Sequence, residues 1–113
     1  EYKYELEPGA AMVYTWSATG VVNFDFHTEP EGLPPSASDS FERGTASEGR
    51  GSYVSPYAGI HGWFWENDEE DVVTVTVTTA GFYGAAKEFR DDGSTEEYPV
   101  QDLVPASQGS LAP

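Results

Sequence analysis

Two histidines stand in the chain, each inside an aromatic-rich stretch: His27 closes VVNFDFH and His61 opens HGWFWEN. Neutral imidazole suits Cu, Zn or Ni, and a carboxylate can complete the shell. Asp25 lies two residues before His27, and on a strand that spacing puts both side chains on one face. Trp63 and Trp65 share the face of His61 and would shape the wall of such a site. Glu29, Glu31 and Met12 are further donors within reach by sequence. Two rings on one tetrahedral metal need donor nitrogens roughly 3–3.5 Å apart. No H-x-H or H-x-x-x-H spacing forces that convergence. The pattern therefore admits a joint metal site (His27, His61 and Asp25) or two histidines satisfied separately by backbone and carboxylate groups.

Other residue groups invite other chemistry. Trp16, Trp63, Trp65, Tyr53 and Tyr57 would form a sugar- or protein-binding platform if exposed, and a core if buried. The run Asn67, Asp68, Glu69, Glu70, Asp71 gathers hard oxygen ligands but lacks the central Gly and distal Glu of a calcium loop, so it reads as a solvated turn. There is no G-x-S-x-G elbow, no glycine-rich phosphate loop and no H-E-x-x-H, which argues against an enzyme.

Short strands must position these groups. Tyr2, Tyr4 and Leu6 alternate with charged residues; Met12, Tyr14 and Trp16 alternate with Val13, Thr15 and Ser17. After a turn expected at Thr19-Gly20, Val22, Phe24 and Phe26 take one face while Asn23, Asp25 and His27 take the other. Ile60 to Glu66 has large side chains on both faces, as a central strand does. Asp71 to Thr79 alternates Val and Thr, and Phe82 to Phe89 reads as a last strand. Residues 28–51, rich in Pro, Gly, Ser and Glu, read as a long loop pinned by Phe41. This predicts an all-β fold, a compact two-sheet sandwich of seven or eight strands over residues 1–90. Residues 91–113 form a tail, with Val100, Leu103 and Val104 available to dock.

Composition narrows the partners. The 113 residues hold 20 Asp and Glu against five Lys and Arg, a formal charge of -15. That surface repels phosphate backbones and anionic headgroups, which excludes nucleic acid as a partner and leaves a metal ion or a protein. Without cysteine there is no disulfide and no thiolate chemistry. No apolar run is long enough to span a bilayer. A chain opening on Glu1 reads as processed or excised, its signal or anchor removed.

The stretches YTWSATGVVNFDFH, Tyr14 to His27, and GIHGWFWEND, Gly59 to Asp68, followed by VTVTVTT, resemble a family of small bacterial transmembrane anchor proteins. The resemblance covers roughly Tyr4 to Tyr83. It implies a periplasmic β-domain tethered through a membrane helix absent from this chain. A second, architectural similarity is to jelly-roll-like GOLD-type β-sandwiches, in which a strand ending in Asn precedes one of alternating Val and Thr. Together these imply a non-catalytic binding or assembly module. Transition-metal binding through His27 and His61 is its sharpest form, and a glycan-binding or purely protein-binding sandwich is the alternative.

Overall fold

Tyr14 and Phe26 lie on one strand, twelve residues apart, yet their ring centroids are only 5.6 Å from each other. On a straight strand that spacing would be about 40 Å. The strand β2 (Ala11–Pro30) therefore folds over itself and belongs to both layers of the molecule. The computed structural model describes residues 1–101. Its other strands are β1 (Tyr2–Leu6), β3 (Asp39–Val54), β4 (Gly59–Glu66), β5 (Val75–Gly81), β6 (Tyr83–Phe89) and β7 (Thr95–Tyr98). A single 3-10 turn spans Pro35–Ala37.

All pairing is antiparallel, in the order β3-β2-β4-β1-β6-β7, with β5 added to β2. The first half of β2 pairs with β5 through Met12↔Gly81 to Ala18↔Val75, and the second half pairs with β4 through Asn23↔Glu66 to Pro30↔Gly59. The result is an all-β, sandwich-like fold of seven strands made by one hydrogen-bonded sheet that wraps across itself. β4 is central, flanked by β1 and β2, as its two-sided hydrophobicity predicts. No helix among the described residues is long and apolar enough to cross a membrane.

Three expectations need correction. The turn at Thr19-Gly20 is a bend inside β2, marked by a register shift against β3 between Ser17 and Val22. The segment read as a loop over 28–51 is strand from Asp39 onward. Its glycines misled because core rings of β2 lie across them: Tyr14 opposes Gly51, Trp16 opposes Gly49 and Phe24 opposes Gly44. A Cβ on Gly49 would collide with the Trp16 indole, and one on Gly51 would stand 2.7 Å from the Tyr14 hydroxyl. Ring-over-glycine pairing lets an edge strand carry large neighbours without bulk of its own. Pairing also continues past residue 90, because β7 adds to β6 from Phe89↔Thr95 to Ala86↔Tyr98. Leu103 and Val104 lie outside the described residues.

The core fills the space between the layers. Trp63 is its centre, with ring centroids 4.5 Å from Phe26, 4.9 Å from Tyr14, 6.2 Å from Tyr4 and 5.7 Å from Trp65.

Candidate metal centre

Cross-strand partners in an antiparallel sheet share a face. His61 of β4 opposes Tyr4 of β1 and Thr28 of β2, both buried in the interior. His27 of β2 opposes Gly62, which in turn opposes Lys3. The neighbours Gly62 and His61 point to opposite faces. The structure therefore separates the two histidines: His61 points inward and His27 outward. The joint site with Asp25 is overturned by strand register, since one backbone step sends the rings to opposite sides of the sheet.

Inside, His61 is 0% exposed. Its Nε2 faces the Tyr57 carbonyl at 3.2 Å, an acceptor only, so Nε2 carries the hydrogen. Nδ1 then accepts from the Tyr53 hydroxyl at 2.8 Å. Ser55 Oγ lies 3.1 Å from Nε2 and donates to the same Tyr57 carbonyl, while Tyr57 Oη bonds Thr28 Oγ1. Burial lowers the His61 pKa from its ordinary value, outweighing the Tyr57 hydrogen bond, which raises it; the Lys3 charge adds a smaller lowering. The ring is a neutral core group with no free lone pair for a metal. Ser55 and His61 have the spacing of a nucleophile and its base, but both are buried and Nε2 is already protonated.

Outside, one row of side chains crosses the sheet: Ser40, His27, Gly62, Lys3 and Lys87. Gly62 makes the row work. A Cβ there would collide with the Tyr2 carbonyl oxygen and stand 2.9 Å from the Lys3 Cα. Over this bare backbone the Lys3 side chain reaches His27, and its Nζ donates to His27 Nε2 at 2.6 Å. Lys3 Nζ also lies 3.8 Å from Glu1 Oε2 and 3.6 Å from Glu29 Oε2. The Lys3 side chain is 0% exposed, whereas Glu1 and Glu29 are 34% and 28% exposed. Desolvation lowers the lysine pKa; the carboxylates of Glu1, Glu29 and Asp25 oppose that shift.

Without Lys3 the same ring of atoms is a metal-ligand set. His27 Nε2 lies 3.8 Å from Glu1 Oε2 and 3.9 Å from Glu29 Oε2, and all three donors fall within 4.8 Å of one another. Tetrahedral donors around zinc stand about 3.3 Å apart, so each carboxylate needs to move about half an ångström nearer the imidazole nitrogen. Among the described residues this is the one such group.

Asp25 shares the outer face but accepts from Ser40 Oγ at 2.8 Å instead of joining the cluster. Trp63 is buried at the core and Trp65 half-buried beside it, their rings parallel at 5.7 Å, so neither walls the His27 site nor forms an exposed platform. The Trp65 indole nitrogen has no hydrogen-bond partner. Trp16 and Tyr53 are likewise core. In the acidic turn Asn67 organises the backbone, accepting from Glu69 N at 2.9 Å and donating to the Asp71 carbonyl at 2.8 Å. Sequence reasoning missed Glu1 and Lys3. The one available signal was a lysine between Tyr2 and Tyr4, which reads as an ordinary wet-face residue unless the glycine opposite it is known. No family model, curated protein or solved structure matches the chain.

Proposed function

We propose that the chain is a non-catalytic binding module of a membrane-anchored protein working outside the cytoplasm. Its ligand is a divalent transition metal held on the outer face by His27, Glu1 and Glu29. The extracytoplasmic setting rests on the resemblance of Tyr14–His27 and Gly59–Asp68 to periplasmic anchor-protein domains. The metal rests on one observation: three donors converge on a fully buried lysine ammonium, so the fold builds a hole for a cation and fills it with its own. One imidazole and two carboxylates suit Zn or Ni, with Cu also served by the imidazole. Metal entry displaces the Lys3 ammonium to solvent, which couples loading to movement of the Lys3 side chain between Gly62 and Lys87.

Thermal unfolding with Zn, Ni or Cu tests this. At a hundred times the dissociation constant the metal adds about 2.7 kcal/mol, a rise in Tm of about 10 °C or more for a domain this size. His27→Ala removes the rise, His61→Gln keeps it, and Lys3→Met strengthens metal binding by removing the resident cation. A rise that survives His27→Ala, or one that depends on His61, ends this reading.

A further inference from the structure

Where the two layers part, they leave a cleft of about 990 Å³. It opens because β5 and β6, joined by Phe82 alone, pair with different strands, β5 with β2 and β6 with β1. Tyr2, Tyr4, Tyr83 and Tyr98 line it, together with Met12 and Val77. The four rings are contiguous: Tyr2 stacks on Tyr98 at 5.4 Å, Tyr2 meets Tyr4 at 5.4 Å, and Tyr4 meets Tyr83 at 4.8 Å.

Two of the four hydroxyls of this wall, those of Tyr83 and Tyr98, are already engaged. The Tyr83 hydroxyl lies 2.8 Å from Thr79 Oγ1, and the Tyr98 hydroxyl donates to Glu88 Oε1 at 2.5 Å and Glu96 Oε2 at 3.3 Å. A phenol donating to a carboxylate has a more electron-rich ring. The Glu88 hydrogen bond, with desolvation second, pushes the Tyr98 pKa up to about 12, so this donor stays protonated at neutral pH. Arg90 bridges Glu88 and Glu96 at the Tyr98 end of the wall.

We propose that this cleft binds an organic cation of the quaternary-ammonium class, its methylated nitrogen against the half-buried rings of Tyr2, Tyr83 and Tyr98 and its apolar body along Val77. Aromatic ring faces carry the negative lobe of the quadrupole and attract such cations. A quaternary nitrogen has no N–H to satisfy, which fits ring faces beside the engaged hydroxyls of Tyr83 and Tyr98. Anionic amphiphiles are disfavoured by the charge of -15 over the whole chain. No residue of the His27 cluster takes part, so the two proposals stand or fall separately.

The experiment is calorimetric titration at physiological salt with choline and with 3,3-dimethyl-1-butanol, which carries a tert-butyl group in place of the trimethylammonium. Choline is expected to bind about fivefold or more tightly than its neutral isostere, the difference a cation–π contact supplies. Tyr83→Leu with Tyr98→Leu keeps an apolar wall and brings choline down to the level of the isostere, whereas Tyr98→Phe keeps most of the preference. Urea unfolding confirms that each variant is folded, and the comparison on the parent protein stands even where one is not. Equal binding of the two compounds overturns the proposal, as does no binding of choline by the folded protein at about 50 mM. A cation preference untouched in the folded leucine double variant also overturns it, since binding then lies elsewhere on the acidic surface.

Discussion

His61 has both ring nitrogens committed in the core, with no carboxylate among its hydrogen-bond partners, so protonating it would bury an uncompensated cation. The consequence for stability has a definite sign. The folded-state pKa lies below the ordinary value of 6.5, chiefly through desolvation, so below pH 6.5 the unfolded chain holds a proton that the folded chain refuses. Stability is therefore lost as pH falls through 6.5, at up to about 1.4 kcal/mol per pH unit, and the loss levels off below the folded pKa. His61→Gln removes the titration, so the stability difference between parent and variant should shrink as pH drops from 7.5 to 5.5 in urea melts. A difference that stays constant across that range would mean that the ring is not held neutral. At this scale the sequence was half legible. It marked both histidines as unusual and placed Asp25 beside His27, but whether two histidines meet depends on strand register, which side-chain alternation within each strand does not supply. The true neighbours of His27 are Lys3 of β1, Glu1 just before that strand, and Glu29 two residues along its own.

Strand β3 shows how an element can hide. Its residues are nearly all exposed because it is the edge of the sheet along both halves of β2, so it shows no alternation of buried and exposed positions. Its glycines, which normally signal loops, are where Tyr14, Trp16 and Phe24 need room. Of the strands that were legible, β1 and both halves of β2 press alternate side chains into the core, β4 shows large residues on both faces, and β5 and β6 lie close to where alternation placed them. The bend at Thr19-Gly20 was legible as a break, but not as one that keeps the strand going. Gly49→Ala tests the ring-over-glycine account. The new methyl has to push the buried Trp16 indole, so a loss of about 1–3 kcal/mol is expected in urea unfolding. Glu48→Ala, at an exposed neighbouring position, should stay within about 0.5 kcal/mol. A neutral Gly49→Ala would show that the ring and the strand are not in contact as described.

Across the whole molecule, charge is the dominant long-range term. With 20 acidic side chains and five Lys and Arg, few carboxylates find a cation. The ion pairs among the described residues draw their lysine and arginine partners from Lys3, Lys87 and Arg90. Glu66, Asp68, Glu69, Glu70 and Asp71 crowd one end of β4 and the turn after it, while Glu29 and Glu31 sit at the end of β2. Folding brings these like charges closer than the unfolded chain holds them, and the folded state bears the repulsion. Salt shortens the screening length from about 30 Å at 0.01 M to about 3 Å at 1 M. The midpoint of thermal unfolding should therefore rise with NaCl, most steeply at low concentration where the screening length still exceeds the spacing of neighbouring carboxylates. The buried aromatic contacts around Trp63 respond little to screening, so a midpoint that falls with added salt would mean the Lys3, Lys87 and Arg90 pairs outweigh the repulsion. The same field concentrates cations at the surface, which is why the two binding proposals, a divalent metal beside His27 and a methylated ammonium among the tyrosines, share a sign.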